Sequence, residues 1–187
     1  MSIATKTGDR GTTGLMYNRR VSKAHPLVEA GGSVDELNAA LGLARATAED
    51  DWVRENILAV QKDLILLMGE LATLPDDVPR YFADGFSRIT PELTAKLDDL
   101  VQTIERQQIS FRGWALPGDS LNSAALDQAR TTCRRAERRV CALQETGQLQ
   151  NPEILVYLNR LSDALWLLAR WVESNRERAS LVRASSV

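Results

Sequence analysis

The sequence predicts an all-α fold: a five-helix bundle preceded by an irregular N-terminal segment. Three observations predict it. After residue 30, apolar residues recur at helical spacing through most of the chain. The breaks between periodic stretches are mostly short and carry Pro, Gly, Ser or Asn, which favours antiparallel neighbours. Strand-like alternation is scarce, and the first 30 residues show no helical period. At 187 residues the chain suits one domain. Its expected parts are an N-terminal segment over 1–30, a bundle over 31–178 and a frayed tail over 179–187.

The first helix is expected in "GGSVDELNAALGLARA", where Ser33 and Glu36 have capping-box spacing and Val34, Leu37, Leu41 and Ala44 form an apolar stripe. The second follows over "WVRENILAVQKDLILLMGELATL", with Val53, Ile57, Val60, Leu64, Leu67 and Leu71 inward. Pro75 and Pro79 end it and open a loop to about Ile89. Thr90 and Pro91 occupy N-cap and N1 of the third, "PELTAKLDDLVQTIERQQ". After the break "SFRGWALPGDSLNS", the fourth runs over "SAALDQARTTCRRAERRVCALQE" and stops at Gly147. Its buried stripe is Ala129, Cys133, Ala136, Val140 and Leu143. Asn151 and Pro152 open the last helix, with Leu158, Leu161, Leu165 and Leu168 on its core face.

Composition narrows function. A 44% apolar, 26% charged chain of net charge −2 is an ordinary globular composition without the global basicity of a nucleic-acid binder. No apolar run approaches the roughly 20 residues of a membrane span, and the N-terminus lacks the apolar core of a secretory signal. The expected location is therefore cytoplasmic, with neither membrane nor nucleic acid as partner. A single histidine, His25, excludes sites that need two His ligands. Cys133 and Cys141, about 12 Å apart along one helix, cannot form a disulfide within it.

The basic residues cluster. Lys6, Arg10, Arg19, Arg20 and Lys23 face only Asp9 in the first 25 residues. Arg130, Arg134, Arg135, Arg138 and Arg139 face only Glu137 in residues 130–139. Two readings stand: two solvated faces, or a convergence on a small polyanion, which arginine forks suit. On a helix, Arg130, Arg134, Glu137, Arg138 and Cys141 share one face. On the next helix Asn159, Asp163, Trp166 and Arg170 form a polar-to-aromatic line. That line is either a self-contained network or a partner of the preceding arginines. "TKTGDRGTTGL" (5–15) matches neither Walker A nor the dinucleotide loop. Its small residues would still let backbone N–H groups approach a phosphate; otherwise it is a flexible end.

Taken together, "TKTGDRGTTGL", "RVSK", "VDELNAALG", "ALPGDS", "ARTTCRRAERRV" and "LNRLSDALWLLAR" resemble the PduO-type ATP:cob(I)alamin adenosyltransferases, or corrinoid adenosyltransferases. They occur in that family's order from about residue 4 to residue 172. The resemblance implies a homotrimer of five-helix bundles with active sites between subunits and a nucleotide-binding N-terminal segment. It implies transfer of the 5′-deoxyadenosyl group of ATP to the cobalt of cob(I)alamin, giving adenosylcobalamin and triphosphate, with Mg²⁺ accompanying ATP. A reductase and a cobalamin-dependent enzyme are the implied protein partners.

Carried over by position, Thr5, Lys6, Gly8, Asp9, Gly11 and Thr12 look like the ATP-wrapping segment, and Ser22 and Lys23 like its continuation. Arg130 matches an arginine that pairs across the subunit interface with the aspartate at Asp35. Arg134, Glu137 and Asn159 match the nucleotide site. Trp114 takes the place of an aromatic residue, commonly Phe, that helps to displace the lower axial ligand of cobalamin. Metal ligands are not assigned. Two departures stand out. Met16-Tyr17-Asn18-Arg19 replaces a Gly-rich or small turn, and Ala24-His25 replaces an acidic residue after the lysine.

Overall fold

The computed structural model describes residues 4–107, 109 and 115–184, with side chains to residue 176. The expected bundle is there. A short hairpin, β1 (Thr12–Gly14) and β2 (Arg20–Ser22), leads into α1 (Pro26–Thr47) and α2 (Asp51–Leu71). A 3₁₀ turn (Pro75–Asp77) and a short α3 (Val78–Ala83) connect to α4 (Pro91–Glu105), α5 (Leu121–Glu145) and α6 (Glu153–Ala184). Five helices are long; α6, at 32 residues, extends about 48 Å. α1 packs on α2 and α5, and α6 packs on α5 and α4. No helix among the described residues is long and apolar enough to cross a membrane.

The apolar stripes read from the sequence are the core. All six expected α2 positions are buried, as are the stripes named on α1, α5 and α6. They meet in one cluster, with Tyr157 at its centre donating its hydroxyl to Asp63 Oδ2 at 3.0 Å. Cys133 is buried and donates to Leu158 O at 3.3 Å; burial pushes its thiol far above the ordinary value. Both cysteines are free.

Several local expectations are corrected. α1 begins at Pro26 rather than beside Ser33. His25 Nδ1 accepts the Leu27 N–H at 3.2 Å and Pro26 sits at N1, so the helix has its start signal a turn or two earlier. Ser33 is buried inside α1 and returns its hydroxyl to Glu29 O, while Glu36 leaves the helix for α5. Thr90 does stand at the N-cap of α4, but without a side-chain cap. The loop opened by Pro75 and Pro79 contains the 3₁₀ turn and α3. Where a frayed tail from 179 is expected, the backbone stays helical to Ala184.

The N-terminal segment includes a hairpin with register Thr12↔Ser22, Thr13↔Val21 and Gly14↔Arg20. Its tip places Tyr17 (φ 59°) and Asn18 (φ 57°) in the left-handed region. A type I′ hairpin turn needs positive φ at both central residues, which Asn tolerates and Tyr resists. Packing compensates: the Arg80 guanidinium lies 4.2 Å over the Tyr17 ring, and Met16 N–H donates to Ala72 O at 2.9 Å. Tyr17 and Met16 thus anchor the turn on the residues that follow α2.

Arg19 completes that anchor with two bonds to the Asp77 carboxylate, 2.7 and 2.8 Å. The guanidinium holds the Asp77 carboxyl below its ordinary value of 3.8. A lowered carboxyl pKa means the contact contributes fully above that ordinary value and is lost as acid titrates through the lowered one. Asp77→Asn is expected to cut the hydrogen-exchange protection of the Met16 amide roughly tenfold at pH 7, the scale of one charge-assisted bond. In the unaltered chain the same loss appears only on acidification below pH 3.8. Unchanged Met16 protection in Asp77→Asn removes Arg19 as the anchor.

Candidate active site

The five clustered arginines of α5 divide into three uses. Arg135 and Arg139 turn to α1, pairing with Glu36 and, at 3.0 Å, with Glu29. Arg130 turns inward, its Nε donating to Asp127 Oδ1 at 2.9 Å. Arg134 and Arg138 are exposed and their side chains have no ion-pair or hydrogen-bond partner among the described residues. Beside them, Glu137 Oε1 accepts from Asn159 Nδ2 of α6 at 2.9 Å. Two residues expected at one nucleotide are therefore in contact, next to a free guanidinium at position 134.

The polar line of α6 finds other partners than the arginines of α5. Asn159 meets Glu137, and Arg170 meets Asp127 at 2.7 Å and Glu173 at 2.6 and 2.8 Å. Asp163 is exposed, 3.9 Å from Arg160 of its own helix. Helix geometry explains the outcome: the acids of α5 at 127 and 137 sit on the flank that faces α6, whereas Arg135 and Arg139 lie on the flank that faces α1.

The N-terminal candidates form a second group. Arg20 gathers the segment, its Nη2 donating to Thr7 O at 2.8 Å, Thr12 O at 3.1 Å and Thr12 Oγ1 at 2.6 Å. Thr5 and Thr7 hydroxyls bond at 2.9 Å. Gly11 adopts φ 75° and its carbonyl accepts the Lys23 N–H at 2.9 Å. Gly8 lies close under Lys23: a Cβ there would stand 3.2 Å from Lys23 Nζ, the movable end of an exposed side chain. Ser22 Oγ accepts the Ala24 N–H. The side chains of Lys6, Asp9, Arg10 and Lys23 are exposed and unpaired among the described residues.

Within one chain no hydrogen bond or ion pair joins this group to the arginines of α5 among the described residues. Asp35 is exposed on α1 and unpaired there, while Arg130 is held by Asp127. Trp114 and the neighbouring Phe111 lie outside the described residues. A cavity of about 60 Å³ at one end of the bundle, lined in part by Glu70, Tyr81, Arg88 and Asn151, includes none of the expected residues. Its carboxylate is occupied by Ile89 N–H at 2.6 Å and Asn151 Nδ2 at 2.8 Å.

Sequence reasoning missed Asp127, Asp77 and the Tyr17–Arg80 stack. Asp127 had a legible signal, an acid three residues before Arg130 on one helix. Asp77 and Arg80 had none, being 58 and 63 residues from the groups they hold.

Residues 3–172 match the sequence profile of the cobalamin adenosyltransferase family. The chain is 39% identical over 189 residues to the corrinoid adenosyltransferase PduO of Salmonella typhimurium, an alignment that covers all of this chain and 54% of that protein. It spans about half the length of the PduO relatives it matches from Salmonella and Citrobacter freundii. It is 40% identical over 171 residues to the cobalamin adenosyltransferase of Cupriavidus metallidurans, covering 90% of this chain and 86% of that one. Among solved structures it is similar to a variant PduO-type ATP:corrinoid adenosyltransferase from Lactobacillus reuteri complexed with cobalamin and ATP. The TM-score is 0.86 at 29% identity, with 94% and 96% of the two chains covered.

Proposed function

The chain belongs to the cobalamin adenosyltransferase family, and we propose that it transfers the 5′-deoxyadenosyl group of ATP to the cobalt of a reduced corrinoid, releasing triphosphate. The observation that carries this reading is the Glu137–Asn159 contact beside the unpaired Arg134. In the proposed reaction the Co(I) electron pair attacks the ribose C5′ as the C5′–O bond breaks and triphosphate leaves with the bonding pair. Such a displacement needs alignment more than proton transfer, which suits a chain with one histidine committed to capping α1.

Charge develops on the leaving triphosphate, and cationic donors held for it stabilise the transition state. Arg134 and Arg138 on one face, and Lys6, Arg10 and Lys23 on the N-terminal segment, supply them. We assign Thr5, Gly8, Gly11, Thr12 and Ser22 to the backbone and hydroxyl lining of the same nucleotide, Asp9 to its edge, and Trp114 to the corrinoid side. Because the two groups are not joined within a chain, the site is proposed to close between subunits of a homotrimer, with Arg130 reaching Asp35 of the neighbouring subunit.

Mg²⁺ fits this donor set as a companion of ATP. Among the described residues no three His, Cys, Asp or Glu side chains gather into a metal cage. Mg²⁺ usually takes phosphate oxygens, waters and one or two carboxylates, of which Glu137 is the one beside Arg134. Bound there, it would neutralise phosphate charge. A cytoplasmic location, a reductase that supplies the reduced corrinoid and an enzyme that receives the product complete the proposal.

Incubating the protein with ATP, Mg²⁺ and chemically reduced cobalamin is expected to produce the adenosylcobalamin spectrum. No product from stable, ATP-saturated protein overturns the reaction. The N-terminal segment supplies a companion result: trypsin cleavage after Arg10 is expected to slow several-fold when Mg-ATP is added. Cleavage indifferent to saturating nucleotide returns residues 4–11 to a mere flexible end.

A further inference from the structure

We propose that Asp127 is a positioning residue for Arg130, an inference that rests on the role given to Arg130 in the proposed reaction. Asp127 lies on α5 with its side chain 4% exposed. One oxygen, Oδ1, accepts from Arg130 Nε at 2.9 Å, and the other, Oδ2, accepts from Arg170 Nη2 at 2.7 Å. Arg170 comes from α6, is 7% exposed, and is held from its other side by the Glu173 carboxylate at 2.6 and 2.8 Å.

The chain of contacts is therefore Glu173–Arg170–Asp127–Arg130, two carboxylates and two guanidiniums with no net charge. Arg170 has both Glu173 contacts without Asp127, so Asp127 does more than neutralise it. Arg170 fixes Asp127, and Asp127 fixes the Nε edge of Arg130. A guanidinium carries five N–H donors in a planar fork. Here one is spent on Asp127, and the Nη groups have no partner among the described residues. Arg130 is 24% exposed, so part of it reaches solvent. Asp127 thus pins one edge of the fork and leaves the other free for a carboxylate or phosphate oxygen brought from outside the chain. An arginine held this way loses little freedom when it engages a planar anion.

Three purified proteins test this against the unaltered chain: Asp127→Asn, Arg130→Ala and the double variant. Each is read for adenosyl transfer, in single turnovers with enzyme in excess so that slow variants are measured, and for its urea midpoint. Asn offers one acceptor where Asp offers two, so it cannot satisfy both arginines. Asp127→Asn is expected to lower the transfer rate about 10- to 100-fold, the scale of a misplaced group near the reaction. In the Arg130→Ala background the same change is expected to lower the rate less than twofold. Its urea midpoint is expected to fall in both backgrounds, because a neutral amide replaces the buried carboxylate that balances Arg170 in both. That split separates positioning from stability.

Equal rate losses in the two backgrounds, or a transfer rate for Asp127→Asn within twofold of the unaltered chain, overturn the positioning role alone. An unaltered chain that binds ATP and reduced corrinoid without turnover overturns the proposed reaction, and this role with it. An Arg130→Ala protein with no measurable turnover is decided by Asp127→Asn itself, since its rate must then fall at an unchanged concentration of folded protein.

Discussion

Arg134→Ala is expected to slow adenosyl transfer by 10²- to 10³-fold while leaving the protein as stable as before. The two halves of that expectation come from separate observations. The side chain is exposed on α5, has no partner among the described residues and contributes no core contact. Its removal is thus a surface change, within about 0.5 kcal/mol of neutral, and Ala is the better helix former. The cost falls on the reaction, where the loss of one preorganised donor to developing charge has that magnitude. Arg134→Lys is expected to recover only part of the rate, because a lysine keeps the charge and loses the planar fork. Thermal unfolding and single-turnover rates on the same samples check both halves. A rate within threefold of the unaltered chain removes Arg134 from the site.

Arg170→Ala has the opposite signature. Arg170 is 7% exposed and bonded to Asp127 and Glu173, themselves 4% and 13% exposed. Removing it leaves Glu173 without its cation and Asp127 with Arg130 alone at the α5–α6 contact. Breaking a buried pair from one side costs about 3–5 kcal/mol, largely because the remaining charge is left without compensation. For a chain of this size that corresponds to a fall in Tm of roughly 10 °C. Replacing all three partners with apolar residues of similar volume is expected to restore most of the loss, since a buried ion pair is often no better than packed hydrocarbon. Such a variant is expected to be stable and slow, because it removes Asp127 from Arg130. A fall in Tm below about 3 °C for Arg170→Ala shows that water or a rearranged side chain satisfies the acids.

The bundle was legible because its signal is local. Val53, Ile57, Val60, Leu64, Leu67 and Leu71 repeat at the helical period, and all six are buried. Gly147 ends α5 with φ 70°, as a residue without a Cβ can do at low cost. The misread start of α1 is equally physical: Ser33 and Glu36 have the spacing of a cap, but Pro26 had already set a helical φ upstream. Of the candidate site, Asn159 meets Glu137 where the arginines of α5 are an expected partner; only the helical placement of the two, each polar beside an apolar stripe, could be read from the sequence. The division of the five arginines could not.

What the sequence determined by itself is a helical bundle, the face of each helix that packs inward, and the two stretches where basic side chains gather. These follow from periodicity and side-chain chemistry, which need only neighbouring residues. The tertiary structure decided which charges remain available. Arg135 is spent on Glu36, 99 residues away, and Arg19 on Asp77, 58 residues away. Arg134 is left open, and Arg130 is half-held by an aspartate that Arg170 fixes. Opposite charges choose partners by distance and exposure, and both are set by how the helices cross and where the hairpin docks.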